Sequence, residues 1–293
     1  MVPMPEQSDA TGPEVGAYLG ADLAAASELD QNGMPGIVSG SPSGGPSSSL
    51  TRPFADTTSQ AKAPSLAETS SPAETSSPAE TLAPPEAGRP PQQVLDGLWA
   101  FAPNRDCLGG TAWWLEHAEG TLLIDCPAYT AANLAFLRGR PAGRLLLTSR
   151  EGHGRTRRFQ EALGWPVLVQ EQEAYLLPGV QQLQTFGEEL DLAPGLRLLW
   201  TPGPTPGTCV LHASGEPDVL VCGRLLSPTG PGAAAPLPTA RSFHWGRWQR
   251  SLKTLKAWLP QGSPRWIASG AGLGALAGEK LIGPGRPLLD GLE

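Results

Sequence analysis

Apolar residues gather in short runs after residue 91 and show almost no periodicity before it. Eight runs read as strands: TAWWLEH (111–117), TLLIDCP (121–127), RLLLT (144–148), PVLVQ (166–170), LRLLW (196–200), TCVLHA (208–213), DVLVCG (218–223) and RWIA (265–268). Their length and their content of Leu, Val, Ile and Trp suit buried strands. WWLEHAEGTLLID reads as a hairpin, with Glu119-Gly120 as its turn. Helical patterns fall between the runs. TAANLAFLRG has Thr130 as N-cap, and GRTRRFQEALG stops at Gly164. In RWQRSLKTLKAWLP, Trp248, Leu252, Leu255 and Leu259 share one face and Pro260 ends the helix. That spacing makes the tryptophan face a core contact in preference to a binding stripe. The strands outnumber what one helix layer can follow, so two sheets held between helix layers are expected.

Composition divides the chain at the same place. Residues 1–91 hold no tryptophan or cysteine and are rich in Pro, Ser, Ala, Thr, Gly and Glu, with a near-repeat SLAET, SSPAET, SSPAET from Ser65 to Thr81. Such a segment buries too little apolar surface to offset its ordering entropy, so a disordered tail over 1–91 and a folded domain over 92–293 are expected. A stretch from Val15 to Leu29 could form a transient helix, or a partner-docking motif, within that tail. The tail carries three basic residues against eleven acidic ones, a net −8; the whole chain is −7, which leaves +1 for residues 92–293. A nearly neutral folded part gives no support for nucleic-acid binding. The start, MVPMPEQSDATG, has neither a basic region nor an apolar core, and no run approaches a membrane span. Cys107, Cys126, Cys209 and Cys222 lack metal spacing, and buried reduced thiols in a cytoplasmic protein are expected.

Four signatures follow in order: NRDCLGGTAWWLEHAEGTLLIDCP, LLLTSREGHG, APGLRLLWTPGPTPGTCVLH and VLVCGRLLSP. Together they resemble the metallo-β-lactamase-fold superfamily over roughly residues 94–275, and TPGPTPG between two strands is their most specific part. The similarity is to ligand-poor members of the cyanobacterial kind. The fold it implies is α/β, a four-layer αβ/βα sandwich with the active site along one edge. The superfamily pattern is T-H-x-H-x-D-H after one strand, T-P-G-H-T-P-G between two others, and Gly-Asp after a later one, with His and Asp holding two metals.

Carried over residue by residue, those ligands are replaced. Thr148 matches the threonine, while Ser149, Glu151, His153 and Gly154 stand at the four ligand positions of the first motif. Pro204 stands for the loop histidine, Arg224 for the bridging aspartate and, more loosely, Ala271 for a last histidine. The resemblance therefore implies a loop kept for its shape, with no inherited metal and no cofactor. Of the four histidines only His153 falls inside an inherited ligand motif; His117 is expected at the surface beside the hairpin turn, His212 at the end of a strand and His244 before a helix. An improvised site of Glu151, His153 and Cys222 is a competing reading, as three ligands would satisfy a catalytic zinc. Arg224 weighs against it, because a fixed cation repels a dication. A Glu151–Arg224 pair filling the former metal position is the sharper expectation; two side chains pointing separately to solvent is the plainer one.

Other chemistry is weaker. Ser149 and His153 sit four apart, yet no third triad member or oxyanion device accompanies them. SGAGLGALAG is not GxGxxG in register. Arg155, Arg157 and Arg158, with Arg150, could bind an anion but read first as a solvated helix face. The expectation is a non-catalytic binding or scaffold module, its protein or small-molecule partner unspecified, with no nucleic acid and no membrane. The alternative is a hydrolase of an ester, thioester or phosphodiester working through a remnant or rebuilt site. Catalytic candidates in that case are Ser149, Glu151, His153 and Arg224.

Overall fold

A computed structural model describes residues 87–292, so the expected tail lies outside the described residues apart from its last five. Four antiparallel strands open the first sheet: β1 (Gln92–Leu95), β2 (Leu98–Ala100), β3 (Trp113–His117) and β4 (Gly120–Ile124). Three parallel strands extend it: β5 (Arg144–Leu147), β6 (Val167–Gln170) and β7 (Leu183–Phe186). Strand order therefore follows the sequence from β1 to β7. Helices α1 (Ala131–Arg138) and α2 (Thr156–Leu163) make the crossovers on its outer face. Thr130 caps α1 by accepting from the Asn133 amide, and Gly164 closes α2 in the left-handed region at φ 70°.

The second sheet has the order β14-β11-β10-β9-β8. Its strands are β8 (Glu189–Ala193), β9 (Leu196–Trp200), β10 (Cys209–Ala213), β11 (Val219–Val221) and β14 (Trp266–Ala268). A small pair, β12 (Ser227–Gly230) and β13 (Ala233–Ala235), lies between β11 and α3 (Trp245–Trp258) in the chain, and α4 (Gly285–Gly291) follows β14.

Alternation along the first sheet sorts side chains into two cores, as a period of two requires. Trp113, Leu115, Leu122, Ile124, Leu146 and Leu168 face the second sheet, while Trp114, Leu123, Leu145, Leu147, Val167 and Val169 pack under α1 and α2. Trp248, Leu252, Leu255 and Leu259 are buried as their spacing predicts, and the Trp248 indole donates to the Leu225 carbonyl at 3.0 Å. The layers are thus helix, sheet, sheet, helix, the sandwich expected from the sequence.

Three local expectations need correction. The β3–β4 turn is Ala118-Glu119, because His117 pairs with Gly120 and draws the glycine into the strand. His117 is half-buried, since its ring lies against Gly195. His212 sits inside β10, 1 % exposed, with Nε2 near Ser263 Oγ at 2.8 Å and Asp218 Oδ1 at 3.1 Å.

Candidate functional site

The C-terminal ends of β4, β5 and β6 open on one edge of the sandwich. The Cys209 amide donates to the Thr148 carbonyl at 2.8 Å, which brings the β9–β10 loop to the same edge. Asp125 follows β4 directly, in the left-handed region at φ 59°. Its two carboxylate oxygens accept from Thr148, Oδ1 from the amide at 2.8 Å and Oδ2 from the hydroxyl at 2.7 Å. Burial pushes this carboxyl up to about 6, against the Thr148 hydrogen bonds and the nearby charge of Arg224. Three glycines make room for the pair. A Cβ on Gly152 would lie 2.1 Å from Asp125 Oδ1, one on Gly223 2.6 Å from Thr148 Oγ1, and one on Gly270 3.1 Å from Asp125 Oδ2.

Glu151 and Arg224 come together at this edge. Arg224 Nε lies 3.0 Å from Glu151 Oε2, and the two side chains are 22 % and 19 % exposed. The same guanidinium donates through Nη2 to the Cys107 carbonyl at 2.7 Å and the Leu108 carbonyl at 3.3 Å. It therefore ties together three segments: the turn after β5, the loop after β11 and the loop between β2 and β3. The last is held further by Asn104, which accepts from the Cys107 amide and donates to the Cys126 carbonyl. With Leu108, Pro204, Leu237 and Trp248, the ion pair lines a cleft of about 470 Å³.

The Thr201–Gly207 loop is fixed from every side. Thr205 and Thr208 share a 2.8 Å hydroxyl hydrogen bond, and the Thr201 amide donates to the Thr208 carbonyl at 2.8 Å. A Cβ on Gly203 would stand 2.4 Å from Trp248 Cα, so this glycine lets α3 approach. A Cβ on Gly207 would meet Glu173 Cγ at 2.7 Å; instead the Gly207 amide donates to Glu173 Oε1 at 3.0 Å. Glu173 is 1 % exposed, and its Oε2 has no partner. The ring of Pro204 is buried at the loop centre, while its carbonyl accepts from the Phe243 amide at 3.0 Å.

Ser149 and His153 do not join this arrangement. Ser149 is 2 % exposed, and no hydrogen bond links it to His153. His153 Nε2 is buried without a partner, and burial, with the charge of Arg150, pushes the imidazole down to about 4. Cys222 is buried, and burial raises its thiol to about 12. Among the described residues, no three His, Cys, Asp or Glu side chains converge on a point that could hold a metal. The helical arginines are engaged: Arg155 with Asp106 at 2.8 Å, Arg157 with Glu161 at 2.8 Å, and Arg158 over the Tyr129 ring.

Sequence reasoning placed Glu151 and Arg224 together. It missed the hydrogen-bonded Asp125–Thr148 pair and Glu173. A lone carboxylate closing the apolar run TLLID was the available signal for Asp125. Glu173 carries none, since EQEAYL reads as surface.

Two mixed sheets between helix layers, with loops gathered at one edge, define the metallo-β-lactamase fold. Comparison with solved structures gives the same result. The DIM-1 metallo-β-lactamase matches with a TM-score of 0.52 at 13 % identity, over 70 % of this chain and 98 % of that one. VMB-1 matches with 0.53 at 13 % identity, over 68 % and 92 %. Identities this low establish the fold and nothing finer. No protein-family model matches the chain, and no curated protein matches it either. Among the described residues, no helix is long and apolar enough to cross a membrane.

Proposed function

We propose that this chain is a non-catalytic binding or scaffold module on the metallo-β-lactamase fold, in which a Glu151–Arg224 ion pair stands where relatives of that fold hold metal. The observation that carries this reading is the 3.0 Å contact between the two side chains. Both occupy positions that the resemblance assigns to ligands. A carboxylate and a guanidinium neutralise one another there without an ion.

The donor set does not fit a metal. A catalytic zinc takes about three His, Cys or carboxylate ligands and an open position. At the matched positions this edge offers Glu151, already engaged by Arg224, and His153, which lies apart from the cleft lining. A dication beside Arg224 would be repelled at short range in a partly dehydrated cleft. The alternative of a rebuilt hydrolase would need Ser149 activated by a base, and His153 makes no hydrogen bond to it.

Thermal melting in zinc, manganese and ferrous salts tests the reading. A ligand that binds only the folded state stabilises it by RT ln(1 + [L]/Kd), about 2.7 kcal/mol at a hundredfold excess over Kd. The expected result is an unchanged melting temperature with each metal. A saturable rise of several degrees would overturn the proposal.

A further inference from the structure

Six large apolar side chains are exposed among the described residues: Leu108, Tyr175, Leu176, Leu237, Phe243 and Trp245. All six lie in segments at the edge that carries the cleft. Leu108 and Leu237 line the cleft itself. Phe243 is held against the β9–β10 loop because its amide donates to the Pro204 carbonyl, and Trp245 opens α3 beside it. Tyr175 and Leu176 follow Glu173, which binds Gly207 on the other flank of that loop. Scattered exposed apolar residues need no explanation, but their confinement to one edge does.

The charges of this edge are uneven. Its surface acids nearest the cleft are already held, Asp106 by Arg155 and Glu151 by Arg224. Arg105, Arg150, Arg241 and Arg247 have no carboxylate within ion-pair reach among the described residues. Arg241 lines the cleft, and Arg247 lies 5.7 Å from the Phe243 ring. Among the described residues, Glu171 and Glu188 are the surface acids of this edge that no cation holds, and neither lines the cleft.

We propose that this edge is a docking surface for an acidic, amphipathic peptide segment of a partner protein, seated in the cleft between Leu108 and Leu237. Exposed aliphatic and aromatic side chains with arginine at the rim have the composition of a protein interface. Leucines offer nothing to nucleotide bases or phosphates, so the apolar part selects peptide side chains. Arginines not held by a carboxylate of the described residues then select carboxylates through charge-assisted hydrogen bonds. The proposal rests on the reading of this cleft as a binding site.

Selection from a random-peptide library on the immobilised full-length protein tests it. Enriched peptides are expected to combine Asp or Glu with Leu, Phe or Trp. A synthetic copy of the most enriched peptide should lose about tenfold or more in affinity with Arg241→Glu, and likewise with Leu237→Ser, as expected for the loss of an interface anchor. Arg144→Glu, at the opposite end of β5, should leave the affinity unchanged. No enrichment, enrichment of basic or wholly polar peptides, tighter binding of a single-stranded oligonucleotide, or indifference to both substitutions would overturn the proposal. Zinc titration of the same preparation separates the two failures. Zinc uptake at the cleft removes the underlying reading as well, whereas failed selection without zinc uptake removes the docking surface alone.

Discussion

Gly152 lies directly against the Asp125 carboxylate, so close that a Cβ would stand 2.1 Å from Oδ1. The turn that presents Glu151 is thereby seated on the end of β4. Substituting Gly152→Ala should force Asp125 off Thr148 and cost about 1–3 kcal/mol or more, the usual range for overpacking a closed site. Gly154→Ala, at φ 44° and 2.9 Å from both Cys107 Sγ and Cys126 Cβ, should also destabilise. Urea unfolding of the two variants checks this; wild-type midpoints would contradict it.

Two buried groups set opposing pH dependences. The Asp125 carboxyl is pushed from 3.8 up to about 6, so the folded state binds this proton more tightly than the unfolded chain. Its contribution to stability therefore falls as pH rises through that window. Thr148, Arg224 and Glu173 face it. His153 is pushed from 6.5 down to about 4, with Arg150 nearby, so its contribution rises with pH over nearly the same window. Each slope is at most about 1.4 kcal/mol per pH unit, and in the native protein they offset. Asp125→Asn should leave stability rising with pH between 4 and 6.5, and His153→Gln should leave it falling. Parallel profiles for both variants and the native protein would refute the assignment.

Partial burial of the Glu151–Arg224 pair, near one-fifth exposure on each side, places it between surface and core ion pairs. Arg224→Met leaves Glu151 unpaired and removes the charged bond to the Cys107 carbonyl, which keeps only the Gly110 amide, so it should cost about 2–3 kcal/mol, against about 1 kcal/mol for Glu151→Gln. The double variant should reveal a coupling of about 1 kcal/mol. Strictly additive effects would mean that the pair contributes nothing as a pair.

Shape, more than side-chain chemistry, governs the Thr201–Gly207 loop. Gly203→Ala must displace Trp248, and Gly207→Ala must displace Glu173; each should cost about 1–3 kcal/mol. Pro204→Ala keeps the carbonyl that accepts from Phe243 and should cost under about 1 kcal/mol. Melting temperatures of the three variants rank them, and a larger loss for Pro204→Ala than for either glycine would contradict this account.

Much of this architecture was legible in the residues because the apolar runs are strong. LRLLW coincides with β9, and the leucine face of α3 follows its spacing. The edge strands were not legible. β8 (ELDLA) alternates over only five residues, three of them Glu, Asp and Ala, which are depleted in strands, and β12 (SPTG) holds no apolar residue except proline, so neither pattern separates them from loops. At the site, Glu151 and Arg224 could be paired because two motifs fixed their places in a shared fold. Asp125–Thr148 and Glu173–Gly207 span 23 and 34 residues and depend on glycines that admit close approach. Nothing local to either partner encodes such a contact.

Elemental analysis of the full-length protein, purified without chelator from medium supplemented with zinc, iron and manganese, tests the central claim most directly. With Arg224 paired to Glu151 and no cluster of three ligands among the described residues, the expected result is metal far below one equivalent per chain. A stoichiometric transition metal that survives dialysis, and is lost on Glu151→Gln, would contradict it.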